Sequence, residues 1–158
     1  MRWSNQRNLR PARRRHLLLL LAVIAGGCAD PAPPTGGRHP AKLVRVVDGD
    51  TIVVRYRGVE ERVRYIGVDT PERDERCFVE ATRVNEELLD DGPLTLEFDR
   101  EMRDRYERLL AYVRAGKTFV NLELLERRVA DPLSIEPNTR HAIRFALAGS
   151  LRRRCASR

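Results

Sequence analysis

Three short apolar runs crowd together near the middle of the chain, and their spacing limits the fold more than any other feature. Leu43, Val44, Val46 and Val47 form the first run, residues 51–56 (TIVVRY) the second, and residues 62–68 (RVRYIGV) the third, with Gly49 and Gly58 between them. Runs this short, rich in β-branched residues and divided by turn-forming glycines, read as consecutive strands. From residue 80 to 89 the period changes: Ala81, Val84 and Leu88 fall on one helical face, and Gly92-Pro93 ends the segment. Residues 94–98 and 109–113 supply a fourth and a fifth strand, and Gly116 marks a turn. Residues 120–127 fit a short helix, and a final helix follows Pro137-Asn138-Thr139 with Ala142, Phe145, Ala146 and Gly149 inward. The expected fold class is α+β: a five-stranded β-barrel with about three flanking helices. No internal repeat is present.

The N-terminus has a different character. Arg2, Arg7, Arg10, Arg13, Arg14 and Arg15 precede an apolar run at residues 17–25, then Gly26, Gly27 and Cys28. A basic stretch before a short apolar run is an export signal, and the run is too short for a membrane-spanning anchor of roughly 20 residues. Residues 1–27 are therefore expected as a lipoprotein-type signal peptide with Cys28 as the lipid anchor. Ordinary cleavage near Ala25 or Gly27, giving a secreted soluble protein, is the alternative. Pro31, Pro33, Pro34, Gly36 and Gly37 make residues 28–41 a flexible tether. The folded domain is expected at 42–150, with a basic tail at 151–158 containing Arg152 to Arg154. Trp3 falls in the leader, His39 in the tether and His141 in the last helix, so all three are read as non-catalytic. Cys77 and Cys155 remain as candidates to pair in an oxidising compartment, with two unpaired thiols as the alternative.

Charge alone says little about a partner. The whole chain carries +7, with 30 basic and 23 acidic residues, but six of its arginines and none of its acids lie in residues 1–27. Without that leader the balance is 24 to 23. The functional reading must come from particular residues.

Asp48-Gly49-Asp50-Thr51 places two carboxylates around a glycine between two strands, which alone suits an ordinary solvated turn equally well. Val68-Asp69-Thr70-Pro71-Glu72 adds two more acids where a strand ends, beside a proline that stiffens the loop. A hard cation such as calcium takes carboxylate and carbonyl oxygens, which Asp50, Asp69 and the Thr70 carbonyl could provide. Arg64 lies on the strand leading to Asp69, and Arg108 follows Asp104-Arg105-Tyr106 just before the fifth strand. Guanidinium groups match the oxygens of a phosphodiester with paired hydrogen bonds, although any single arginine is more ordinarily a surface solubiliser.

Four segments, residues 43–51 (LVRVVDGDT), 64–72 (RYIGVDTPE), 104–112 (DRYERLLAY) and Pro137-Asn138-Thr139, resemble the staphylococcal nuclease family in residue type, order and spacing. The resemblance covers residue 42 to about residue 150. It implies an OB-fold barrel and a calcium-dependent nuclease that hydrolyses phosphodiester bonds of DNA or RNA and leaves 3′-phosphate and 5′-hydroxyl ends. It further implies one Ca2+ held by Asp50, Asp69 and Thr70, with Asp48 supporting. Glu72 takes the place of the carboxylate that activates water, Arg64 and Arg108 those of the phosphate-binding arginines, and Tyr106 helps to position substrate. The expected partners are a nucleic-acid substrate and a membrane reached through the lipid anchor. No protein partner is expected, and the chain is read as a monomer at the cell envelope.

Three departures stand out. Glu107 occupies a position where the family has Gly, Leu133 and Ile135 stand where it presents tyrosines, and Asp131-Pro132 breaks the usual loop pattern. They leave open a second reading, a nuclease-like module on the cell envelope that binds nucleic acid without cutting it.

Overall fold

The computed structural model describes residues 37–150. The described residues all belong to one compact unit. The expected signal peptide, Cys28, most of the expected tether and the basic tail with Cys155 lie outside the described residues.

Nine strands and three helices are found among those residues. They are β1 (Arg38–Pro40), β2 (Lys42–Val46), β3 (Thr51–Tyr56), β4 (Val59–Tyr65), β5 (Val68–Asp69), α1 (Phe78–Leu89), β6 (Leu94–Glu97), β7 (Leu109–Ala115), β8 (Thr118–Phe119), α2 (Val120–Glu126), β9 (Asp131–Pro132) and α3 (Ala142–Ala148). β3 and β4 form a hairpin in which Tyr56 pairs with Val59. Its two central residues, Arg57 and Gly58, both have positive φ, which is what a two-residue turn needs to match the twist of its strands. The third strand therefore starts at Val59, ahead of the Arg62 start read from the sequence.

The main sheet runs β1-β6-β7-β4-β3-β2, with β8 also on β7, and a second small sheet pairs β5 with β9. The α+β class holds, and the arrangement is consistent with an OB-type fold, but five strands in a closed barrel are not what the ladder shows. β1 and β2 are the two ends of the sheet order and do not pair with each other; Ala41 alone separates them along the chain, and its N–H donates to the carbonyl of Leu94, the first residue of β6. Covalent continuity thus joins the two edges where a barrel would have hydrogen bonds. β1 also shows that residues 38–40, expected as tether, are an ordered strand.

The parallel pairing of β4 with β7 matters most for the site, because it sets Arg64 opposite Leu110. The end of β4 and the start of β7 are thereby brought side by side. Ile52, Val54, Val63, Leu96, Leu109 and Val113 fill the core between the strands, and α1 adds Ala81, Val84 and Leu88 as its periodicity predicts. Each fully buried aliphatic side chain of this kind contributes about 1.5–3 kcal/mol. α2 is fixed by Asn121, wholly buried, whose carbonyl accepts from the Val113 N–H and whose amide donates to the Ile66 carbonyl, both at 2.8 Å.

Two histidines pack against aromatic rings. His39 is not solvated in a tether: its ring packs against Phe98 and Tyr56, with centroids 5.3 and 6.3 Å away. His141 sits among Tyr112, Phe119 and Phe145, with Nε2 3.9 Å from the Glu97 carboxylate. Phe145 is the buried anchor of α3, whereas Ala146, expected inward, is exposed. Burial pushes the His141 imidazole below its ordinary value of 6.5, and Glu97 only partly opposes this. The unfolded chain, at the ordinary value, therefore takes up this proton first as pH falls. The contribution is fully present above 6.5 and is lost as pH drops through the lower, folded value. We expect His141→Gln to lose less unfolding free energy than the parent between about pH 7.5 and about pH 5, measured by urea titration. An identical loss in both proteins would remove His141 as the cause.

Candidate active site

The turn between β2 and β3 carries the first acids. Asp48 accepts a hydrogen bond from the Asp50 N–H at 3.1 Å, and the N–H groups of Val47 and Asp48 both donate to the Thr51 carbonyl. Asn85 of α1 donates to the Asp48 carbonyl and accepts from the Tyr65 hydroxyl, both at 2.9 Å, so helix and turn are bonded together. Gly49 lies so close to them that an added Cβ would fall 2.8 Å from the Thr70 Cβ and 2.9 Å from the Ala81 Cβ.

Asp50 is buried at 5 % exposure, and both of its oxygens are engaged. Oδ2 accepts from the N–H and the hydroxyl of Thr70, both at 2.8 Å, while Oδ1 accepts from the Thr51 hydroxyl at 3.2 Å and forms an ion pair with Arg64 Nη1. Burial pushes the Asp50 carboxyl above its ordinary value, with Arg64 and the Thr70 bonds pulling the other way. Asp69 ends β5 and accepts from Arg64 Nη2 at 2.9 Å, with about half of its side chain exposed. One guanidinium thus bridges two carboxylates, one buried and one open to solvent. Register explains the meeting: Thr51, the neighbour of Asp50, lies opposite Arg64 across β3 and β4.

An oxygen of Asp50 and an oxygen of Asp69 converge on the Arg64 guanidinium, and Thr70 is fixed to Asp50 through both its donors. Among the described residues no three His, Cys, Asp or Glu side chains converge as ligands. A cation held here would rely on two carboxylates completed by carbonyl and water oxygens, which suits calcium and not zinc.

The loop before β7 supplies the second arginine. Asp104 organises it: Oδ1 accepts from the N–H groups of Tyr106 and Arg108 at 2.9 and 3.0 Å, and Oδ2 accepts from Arg108 Nε at 2.7 Å. Burial works to raise the Asp104 carboxyl, but these bonds outweigh it and hold it below its ordinary value. With Nε held by Asp104, the two terminal nitrogens of Arg108 are left for another partner. Arg103 ties the loop to β4, reaching both oxygens of Glu61 at 3.1 and 2.7 Å and the Glu107 carbonyl at 2.7 Å.

Glu107 has φ 62, in the left-handed region, which gives the physical reason for glycine at this position in similar chains. Its side chain is exposed, and Arg108 pairs with Asp104 rather than with it. Glu107→Gly should relieve the backbone and raise stability by about 1 kcal/mol despite the added freedom of the unfolded chain. Thermal unfolding reads this directly, and a lower melting temperature would contradict it.

Arg64 and Arg108 line one cleft of about 470 Å³, together with Tyr106, Leu110, Leu133 and Ile135. Tyr106 is exposed, with the Arg105 guanidinium 4.7 Å and the Arg108 guanidinium 5.5 Å from its ring centre. Leu133 and Ile135 give the opposite wall an aliphatic surface. Asn138, from the motif at 137–139, bonds through both ends of its amide to the backbone of Glu101 at 2.8 Å and so pins this wall to the loop of Arg108.

Asp48, Asp50, Arg64, Asp69 and Thr70 form one network, and Arg64, Tyr106 and Arg108 share the cleft. Glu72 is not part of either. It lies in a turn where its N–H is bonded by the Glu75 carboxylate at 2.9 Å, and its own exposed carboxylate makes no hydrogen bond or ion pair among the described residues. Cys77, just before α1, is disulfide-bonded. Sequence reasoning passed over Asp104, Asn85 and Gly49 as site-forming residues, although an Asp four positions before an arginine was a visible signal for the first.

Comparison with known proteins finds several that are similar. Residues 62–148 match the family described as staphylococcal nuclease homologue. The chain is 42 % identical over 113 residues to Endonuclease YncB of Bacillus subtilis (strain 168), covering 66 % of this chain and 54 % of that protein. It is 38 % identical over 134 residues to the Thermonuclease of Staphylococcus intermedius, covering 80 % of each. With the Thermonuclease of Staphylococcus hyicus it shares 36 % identity over 113 residues, 68 % of this chain and 67 % of that one. The chain spans about half the length of the first of these relatives.

Proposed function

Because the chain belongs to the staphylococcal nuclease family, we propose that it is a calcium-dependent nuclease that hydrolyses phosphodiester bonds of DNA or RNA. The observation that carries this reading is the convergence of Asp50 and Asp69 on Arg64, at the edge of a cleft that also holds Arg108. A site needed only for structural calcium has no use for two arginines facing one cleft.

Asp50, Asp69 and the Thr70 carbonyl would hold calcium, which supplies charge to orient the phosphate and to offset its negative oxygens. Asp48 supports them by fixing the Asp50 backbone. Arg64 and Arg108 bind the phosphate and gain most as negative charge builds on it in the transition state. Arg108 is ready for this because Asp104 fixes its Nε and leaves its outer edge facing the cleft. Glu72 carries the free carboxylate nearest in sequence to Asp69 and takes the proton from the attacking water. Cleavage in this way leaves the family's 3′-phosphate and 5′-hydroxyl ends. Tyr106 and the aliphatic pair Leu133 and Ile135 hold the nucleoside beside the phosphate. The basic, apolar leader and Cys28 support export and a lipid anchor at the cell envelope, with a soluble secreted form if cleavage falls near Ala25 or Gly27.

The binding-only reading drew on Glu107 and on the missing tyrosines; Glu107 is exposed and Arg108 pairs with Asp104, so the first of these no longer favours it. Glu72→Gln tests the enzyme reading. It should lower turnover by about a hundredfold or more while leaving thermal unfolding unchanged, and an undiminished rate would take Glu72 out of the reaction.

A further inference from the structure

Away from the cleft, three arginines gather around one ring. The Arg114 guanidinium lies 4.2 Å from the centre of Phe119, and that of Arg144, from α3, lies 5.7 Å from the same ring. Arg38 of β1 shares the face, as the pairing shows: Arg38 is opposite Glu97, Glu97 opposite Tyr112, and Thr95 opposite Arg114. Arg38 and Arg144 are exposed, and Arg114 is partly so.

These charges are not neutralised within the described fold. Arg38, Arg114 and Arg144 make no ion pair among the described residues. The nearby carboxylate, Glu97, already accepts from Arg140 at 2.7 Å and lies 3.9 Å from His141. Burial lowers the Arg114 pKa, and repulsion from Arg38 and Arg144 adds to this while Glu97 opposes it. Holding like charges together without a counter-charge costs stability, and an anion arriving from outside would reverse that cost. The guanidinium planes stacked on a ring suit phosphate oxygens better than a mobile ammonium would.

We infer that this face is a second contact for the nucleic-acid strand, binding its phosphates beyond the cleft. The inference rests on the nuclease reading above. β7 links the two places: Arg108 immediately precedes it, Leu110 lines the cleft, and Arg114 lies further along on the same face, with buried Tyr112 between them. Arg108 and Arg114 are six residues apart (114 − 108), which is roughly 20 Å of extended strand and the reach of several stacked nucleotides. A strand held at both ends would be presented to the cleft as a long polymer and not as a short fragment.

The test is equilibrium binding by the full chain in chelator, so that nothing is cut, using single-stranded DNA of about twenty and about four nucleotides. Arg38→Gln/Arg144→Gln should bind the longer strand roughly fivefold more weakly at low salt, with the slope of log affinity against log salt reduced by about 1.4. The short strand should bind as in the parent, and calcium-dependent cutting of it should be unchanged. Equal losses for both lengths, or no loss for the longer one, would overturn the inference. α3 also exposes Ile143 and Leu147, so phosphatidylglycerol vesicles form a second arm. Arginine-dependent vesicle binding with unaltered binding of the long strand would assign the face to a membrane surface and refute the proposal. Failure of the nuclease reading would show separately, as parent protein that never cuts in calcium.

Discussion

Arg108→Ala should lower the rate of DNA cleavage by about a hundredfold or more with almost no change in thermal unfolding. The guanidinium is partly exposed, and its side-chain hydrogen bond among the described residues is to Asp104. Asp104 would keep the N–H groups of Tyr106 and of residue 108, so the loop survives the truncation. A partly buried pair of this kind contributes about 1 kcal/mol, small beside the expected loss of rate. What disappears is a pair of terminal nitrogens aimed into the cleft, and that loss matters only when a phosphate is there. Arg108→Lys should restore little, because an ammonium cannot bond to Asp104 and present two parallel N–H groups at once. Steady-state kinetics on single-stranded DNA would show a fall in kcat. A loss of activity matched by a lowered melting temperature would instead mean that Arg108 serves the fold.

Gly49→Ala should damage stability and activity together. The new methyl would meet Cβ atoms of Thr70 and Ala81 at 2.8 and 2.9 Å, and neither is the loose end of a flexible side chain. Thr70 is held by both of its bonds to Asp50, and Ala81 is fully buried in α1. To make room, either α1 or the Thr70 segment must move, at a cost of about 1–3 kcal/mol. Movement of Thr70 carries the Asp50 carboxylate with it, so the calcium concentration needed for half-maximal activity should also rise. Chemical denaturation reads the first effect and a calcium titration the second. A variant as stable as its parent would show that the turn can relax, and the close approach would then have no role.

The fold was legible wherever neighbours in sequence are neighbours in space. β3, β4, β6 and β7 announce themselves through β-branched residues and glycine turns, and α1 through Ala81, Val84 and Leu88. Two features escaped because they depend on distant partners. β1 has Pro and Arg rather than an apolar run, and it exists because β6 offers it a bonding edge. The open ladder follows from where β1 and β2 each find a partner, which no local pattern encodes. The site divides in the same way. Asp50, Asp69, Arg64 and Arg108 stand out as chemistry placed at strand ends, and the structure sets Asp50, Asp69 and Arg64 in direct contact. Asp104 and Asn85 look like ordinary loop and helix residues until the structure shows what they hold. Glu107 could be noticed as a charge in an unusual place, but only its backbone angle shows that the cost lies in conformation, with its side chain exposed and Arg108 paired to Asp104.

The nuclease assignment is tested most directly by cleavage of single-stranded DNA by the purified protein in calcium, in chelator, and with Arg108→Ala in calcium. Cutting that needs calcium and falls in the Arg108 variant is the predicted result, and it would establish the acids and the arginine as one site. A folded protein that binds the strand yet never cuts it in calcium would contradict the assignment.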